Sequence, residues 1–229
     1  MRRAGILAPM SIQLLLITPV LDDFARRARF GSGGASDVAA LERARTVRAI
    51  AALPGGGSCW RSPSSRCRDT ALALRLDGRE AAHLRDLDLG RWQGRTLEEV
   101  AAQEPEAVAG WLSDPTAAPH GGEPLNALLD RAGAWLAQVA AAGSSPVLAV
   151  MEPAVVRAAV VHALELPPQA FWRIDARPLT VTELSGHAGR WNLRPGQSLD
   201  GPRLGLAPLP PPAAGRGRAG PAADLPPGA

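Results

Sequence analysis

The residue order predicts an α/β domain of three layers, with a mostly parallel central sheet carrying helices on both faces. Three observations point there. Two short, almost wholly apolar runs, Ile12 to Thr18 and Pro146 to Met151, read as strands buried on both sides. Segments with apolar residues spaced by three and four alternate with such strands, as in a sheet covered by helices. The chain has 229 residues, 46% apolar and 21% charged, which suits one globular unit with a sizeable core and excludes a disulfide-stapled miniprotein or a wholly disordered chain.

Ile12 to Thr18 ends at Pro19 and is the first strand. Ser36 or Asp37 caps a helix that carries Val38, Leu41, Val47 and Ile50 towards Leu53. Ser58 to Arg61 is a short strand, and Pro63 begins a turn into a helix through Thr70, Leu72 and Leu74. Thr96 and Glu99 have capping-box spacing, and Pro105 stands at a first helical position, so two helices start there within a connecting insertion. From Leu125 to Ala141, the residues Leu128, Leu129, Ala132, Trp135, Leu136 and Val139 recur at helical spacing. Pro146 to Met151 is the clearest buried strand, and Pro153 starts a helix through Val156, Val160 and Leu164. Phe171 to Ala176 and Leu179 to Ser185 read as the final strands. The strands ending at Thr18 and Met151 are expected side by side in the middle of the sheet.

Residues 1–11 read as a disordered or mis-assigned leader, with Met10 an alternative start, and 12–196 as the folded domain. Gln197 to Ala229 holds eight Pro and six Gly with few large apolar residues, the composition of a disordered tail. No apolar run reaches the roughly 20 residues that span a bilayer. All 25 basic residues are Arg, yet the net charge is only +3 and no basic block exceeds two residues, so nucleic acid is not an expected partner. Cys59 and Cys67 are read as reduced, and a cytoplasmic location is expected.

In open α/β sheets ligands bind beyond the carboxyl ends of the strands, here Thr18 to Asp23, Ser62 to Arg66 and Met151 to Pro153. Two segments there carry recognisable motifs. Ser62-Pro63-Ser64-Ser65-Arg66-Cys67-Arg68-Asp69-Thr70-Ala71 resembles the S-P-x-x-R-x-x-Q-T-A element of the histidine phosphatase superfamily, the phosphoglycerate mutase-like fold. Asp86-Leu87-Asp88-Leu89-Gly90-Arg91-Trp92-Gln93-Gly94 is similar to its acidic F-G-x-W-x-G element. Gly121-Gly122-Glu123 is similar to its G-E-S segment, with Pro124 in place of Ser. Ala149-Val150-Met151-Glu152-Pro153 is similar to the strand that ends in its second histidine. The resemblance covers about Ile12 to Arg194.

That resemblance implies a phosphate-clamp role for Arg66, an acidic proton-donor position at Asp86, and substrate-binding positions at Thr18, Arg66 and Glu123. It also implies degeneracy. Where the family has R-H-G after its first strand, this chain has Thr18-Pro19-Val20, and the second family histidine aligns with Glu152. Both imidazoles of the catalytic pair are thus missing, and Pro19 cannot be a nucleophile. Glu152 would also repel a phosphoryl oxygen: two unit charges about 4 Å apart interact by about 4 kcal/mol at an effective dielectric of about 20. The expectation is a ligand-binding or regulatory pseudoenzyme with a small anionic molecule or a protein as partner. The alternatives are a diverged enzyme using the carboxylates Glu152 and Asp86, and a scaffold. Homo-oligomerisation stays open.

The remaining histidines offer no replacement. His83, His120, His162 and His187 lie off the aligned catalytic positions; His162 reads as a partly buried structural residue and His120 as a solvated loop residue. They are too scattered for a metal site, and no cofactor is expected. Cys59 and Arg66 are separated by six residues rather than the five of a C-x5-R phosphate loop, and Cys67 reads as an inert thiol. Asp22 and Asp23 read as solvated loop residues, and Trp92, Trp111 and Trp172 as core or pocket wall.

Overall fold

The structure, a computed structural model, describes residues 11–50, 53, 57–187 and 190–199. The strands are β1 (Ile12–Ile17), β2 (Ser58–Arg61), β3 (Arg79–Glu80), β4 (Val147–Val150), β5 (Thr180–His187) and β6 (Arg190–Ser198). The α-helices are α1 (Asp23–Arg26), α2 (Val38–Ile50), α3 (Ser65–Ala73), α4 (Leu97–Gln103), α5 (Pro105–Ser113), α6 (Leu125–Ala142) and α7 (Pro153–Ala163). One six-stranded sheet has the order β3-β2-β4-β1-β5-β6. The pairs β2 with β3, β2 with β4 and β1 with β4 are parallel, while β5 and β6 are antiparallel additions at one edge.

Alternation along the central strands explains the layers. In β1, Leu14 and Leu16 pack with α6 and α7, whereas Leu15 and Ile17 pack with α2 and α3. In β4, Val147 and Ala149 face the first cluster and Leu148 and Val150 the second. A strand covered on both faces has little room for a polar residue, which is why β4 is wholly apolar and β1 is apolar from Leu14 to Ile17, its one polar residue Gln13 being half-buried and bonded to Glu183 at 3.1 Å. β4 lies beside β1 in parallel, with Leu14 opposite Val147 and Ile17 opposite Val150, as the sequence predicts.

The expected capping devices form. Asp37 accepts from the Ala40 N–H at 2.9 Å. Thr96 and Glu99 make the reciprocal capping box of α4. Pro105 and Pro153 each stand in the first turn of their helices, α5 and α7.

Two expectations change. Phe171 to Ala176 is not a strand: Pro168–Arg173 forms a 3-10 helix whose Phe171 plugs the core beside Trp172, because Pro167 and Pro168 pre-set a turn. Arg190–Ser198 is a strand despite Pro195, since an edge strand tolerates a missing N–H. Ordered chain therefore runs past the expected boundary at 196: Leu199 is buried and its N–H donates to Leu179 O at 2.9 Å. Residues 1–10 and 200–229, where the leader and most of the tail were expected, lie outside the described residues. No helix among the described residues is long and apolar enough to cross a membrane.

Leu16 is fully buried between the sheet and the α6–α7 layer. Leu16→Ala should lower the unfolding free energy by about 2–5 kcal/mol in urea titration. A loss below about 1 kcal/mol would show that this interface is not close-packed.

Candidate functional site

The carboxyl ends of β1, β2 and β4 are drawn together by backbone bonds. Met151 N–H donates to Ile17 O at 3.0 Å and Ser62 N–H to Val150 O at 2.9 Å. The three segments that leave these ends carry Asp22, Arg66 and Glu152.

Arg66 lies in the first turn of α3, capped by Ser64, whose hydroxyl accepts from the Cys67 N–H at 3.3 Å. Its Nε donates to Glu152 Oε2 at 2.8 Å, and its Nη2 donates to the same oxygen. Nη1 lies 3.5 Å from Asp22 Oδ1. The residue is 5% exposed, and Glu152 and Asp22 are 0% exposed, so this is a three-member ionic cluster sealed from water. Burial alone would lower the Arg66 pKa; the Glu152 hydrogen bond and the charges of Glu152, Asp22 and Asp86 outweigh it and hold the guanidinium above its ordinary range.

Asp22 is thus not a solvated loop residue. Its Oδ1 accepts from Ala25 N–H and its Oδ2 from Gly33 N–H, each at 2.8 Å, so one side chain caps α1, fixes the following loop and faces Arg66. Asp23 is the outward member of the pair, bonded to Ala35 N–H at 3.0 Å and to Arg26.

Asp86 arrives from a different direction, on the loop between the 3-10 turns Ala82–Leu84 and Gly90–Trp92. The loop is pinned by close backbone approach. A Cβ on Gly90, at φ +46°, would stand 2.3 Å from His120 O, so only glycine fits there. Glu123 N–H donates to Asp88 O at 2.8 Å, and Arg131 Nη2 to Asp86 O at 3.1 Å. Removal from water and the nearby Glu152 charge push the Asp86 carboxyl up to about 7, although Arg66, the Leu87 N–H and Arg131 oppose the rise.

Other candidate residues are already engaged. The Thr18 hydroxyl is within bonding reach of the carbonyls of Arg177 and Thr180 and accepts from Thr180 N–H at 3.0 Å, which ties the end of β1 to the start of β5. Pro19 is buried beside it. Glu123 receives Arg131 through both oxygens, at 2.7 and 2.9 Å, and Arg85 at 3.2 Å. Cys67 is fully buried, its thiol 3.6 Å from Glu152 Oε1; burial and the Glu152 charge raise its pKa well above the usual thiol value. Cys59 and Cys67 are both free thiols, and burial pushes Cys59 to about 11.

No histidine bonds to Arg66, Asp86 or Glu152 among the described residues. Two expectations about them reverse. His162 is exposed at the end of α7 rather than partly buried. His120 is 1% exposed, wedged against Trp92 and Trp111 with ring centroids 5.2 and 6.2 Å away, rather than solvated. The expectation for Trp92, Trp111 and Trp172 holds: with Phe30 and Phe171 they form one aromatic cluster in the core, edge-on apart from the stacked Phe30–Trp92 pair. No group of three or more His, Cys, Asp or Glu among the described residues is placed to hold a metal ion.

Arg157, on α7, went unnoticed in the sequence. Its guanidinium stands 5.8 Å from the Phe171 ring centroid and within electrostatic range of Asp86. A lone arginine among Val155, Val156, Ala158 and Ala159 was the available signal.

The profile of the histidine phosphatase superfamily (branch 1) matches residues 30–195. A bifunctional protein of Mycobacterium tuberculosis is 30% identical over 126 residues, 52% of this chain and 35% of its own length. A glucosyl-3-phosphoglycerate phosphatase of the same species is 31% identical over 128 residues, covering 52% and 56%. The chain thus spans about a third to just over half the length of these curated relatives. Among solved structures, a mycobacterial glucosyl-3-phosphoglycerate phosphatase superposes with TM-score 0.72 at 24% identity, over 82% of this chain and all (100%) of that one. The alpha-ribazole phosphatase from Shigella flexneri gives 0.72 at 16%, over 82% and 96%. At those identities the structures share the fold.

The Asp86 carboxyl yields a pH test. Its pKa is raised in the folded protein from an ordinary 3.8 to about 7, so folding takes up a proton between these values and stability falls as pH rises through them. Asp86→Asn should gain on the wild type in urea melts across that window and hold a constant advantage above it. Parallel pH profiles for the two proteins would contradict the raised value.

Proposed function

Since the chain belongs to the histidine phosphatase superfamily (branch 1), we propose that it is a member that has left phosphohistidine chemistry and acts as a ligand-binding or regulatory pseudoenzyme. The observation that carries this reading is the buried Arg66–Glu152 ion pair. In this fold the arginine of S-P-x-x-R clamps phosphate; here its donors are directed at an internal carboxylate. Phosphoryl transfer through the fold needs an imidazole to attack phosphorus, and by motif resemblance the positions of the two family histidines hold Pro19 and Glu152. Arg66 and Asp86 supply a clamp and an acid without a nucleophile.

The reading extends to a cytoplasmic protein whose partner is a small anionic molecule or another protein. The electrostatics argue against a phosphomonoester dianion as that partner: Glu152 and Asp22 already neutralise Arg66, so the dianion meets excess negative charge.

One observation favours a second reading. A carboxyl near pH 7 half protonated, as Asp86 is, suits general acid catalysis, and the pair Asp86 and Glu152 could serve a diverged enzyme on a small, phosphorylated molecule.

Incubation with a panel of phosphomonoesters that includes glucosyl-3-phosphoglycerate, the compound in the relatives' names, separates the two. The expected result is no phosphoenzyme and phosphate release at the buffer rate. Turnover abolished by Arg66→Ala would overturn the pseudoenzyme reading in favour of the carboxylate enzyme.

A further inference from the structure

A groove lies where α6, the end of α7 and the start of β6 meet, with a volume of about 460 Å³. Its lining includes Leu129, Leu166 and Trp191 together with Asp130, His162 and Glu165. Trp191 is opposite Gly186, and Gly186 opposite Ile12, so the groove is at the end of the sheet away from Arg66. Both rings lie close against glycines: a Cβ on Gly186 would stand 2.8 Å from the Trp191 ring, and one on Gly133 2.1 Å from the His162 ring. Leu166 is 37% exposed, and the carboxylates of Asp130 and Glu165 have no ion pair or hydrogen bond among the described residues. No Arg lines the groove, which is thus apolar and acidic in a chain whose net charge is +3.

The chain beyond Leu199 has the complementary chemistry. From 201 to 223 it has three basic residues, Arg203, Arg216 and Arg218, and no acidic one, and it contains the run Pro208-Leu209-Pro210-Pro211-Pro212. Proline-rich segments dock in aromatic-lined grooves because a polyproline helix is already extended and loses little freedom on binding. The reach is sufficient. Eight residues of β6 separate Trp191 from Leu199, about 26 Å of strand, while the 11 residues from Leu199 to Pro210 span up to about 34 Å in polyproline geometry. Because β6 is an edge strand, that path runs back along it with no other strand to cross.

We propose that residues 208–218 of the same chain dock in this groove, the prolines on Trp191 and Leu166 and the guanidinium groups of Arg216 and Arg218 at Asp130 and Glu165. A tethered segment meets the groove at about millimolar effective concentration, so contacts too weak to hold a separate partner suffice. The docked segment covers the exposed apolar side chains and gives the two free carboxylates their counter-charges.

Cleavage of the full chain by an arginine-specific protease, followed at Arg216 and Arg218 by mass spectrometry, measures the docked fraction. At about millimolar effective concentration and a site affinity of about 0.1 mM, cleavage should be about tenfold slower than in a free peptide of residues 204–223. Asp130→Asn with Glu165→Gln should restore the peptide's rate, and so should Pro210→Ser with Pro211→Ser, which leaves the folded domain untouched. Glu98→Gln with Glu106→Gln, the same charge change on α4 and α5, should leave the protection in place. The indole N–H signal of Trp191, assigned by its loss in Trp191→Phe, should shift between the wild type and the proline variant. Wild-type cleavage at the peptide's rate, or a Trp191 signal indifferent to the proline variant, would overturn the proposal. Protection lost on dilution would overturn it too, since the occupant would then come from a second copy.

Discussion

A guanidinium taken out of water must find its counter-charge inside the protein, and Arg66 finds two. Desolvating an ion costs several kcal/mol, and the attraction between buried partners offsets that only when the geometry is good. Here Nε and Nη2 of Arg66 share one Glu152 oxygen while Asp22 stands on the far side. Asp22 is in turn held by two backbone N–H groups, so its charge is fixed in place before Arg66 arrives. The cluster joins the segment after β1, the first turn of α3 and the start of α7. Removing one member of such a pair typically costs about 3–5 kcal/mol, because it leaves the other charge stranded.

That constraint reaches its neighbours. Burial, with the Glu152 charge behind it, pushes the Asp86 carboxyl up to about 7. The same charge, with burial, keeps the Cys67 thiol protonated and unreactive despite two flanking arginines in sequence. These effects centre on one buried carboxylate that the chain itself supplies, Glu152.

How much of this was legible in the sequence depended on range. Elements fixed by local chemistry were readable: the largely apolar run of β1 and the wholly apolar β4, the Thr96 to Glu99 box, and the prolines that open α5 and α7. Elements fixed by remote partners were not. Arg190–Ser198 looked like the approach to a tail because Pro195 and Gly196 argue against a strand, yet pairing with β5 at the sheet edge decides it. His120 looked solvated beside two glycines, while the aromatic cluster that buries it comes from residues about 10 to 30 positions earlier, Trp92 and Trp111. At the site, Arg66, Asp86 and Glu152 were identifiable from the motifs. That Asp22 joins Arg66 and Glu152 as the third member of the cluster while Asp23 turns outward depends on a strand order that no local spacing encodes.

The central claim is that Glu152 fills the place of a bound anion on Arg66. Calorimetric titration of inorganic phosphate into wild type and Glu152→Gln, with thermal melts in the same buffers, tests it most directly. The account predicts no measurable phosphate binding by the wild type, and saturable, stabilising binding by Glu152→Gln that Arg66→Ala removes. Equal phosphate affinity in wild type and Glu152→Gln would contradict it, because the carboxylate would then not be the group that closes the site.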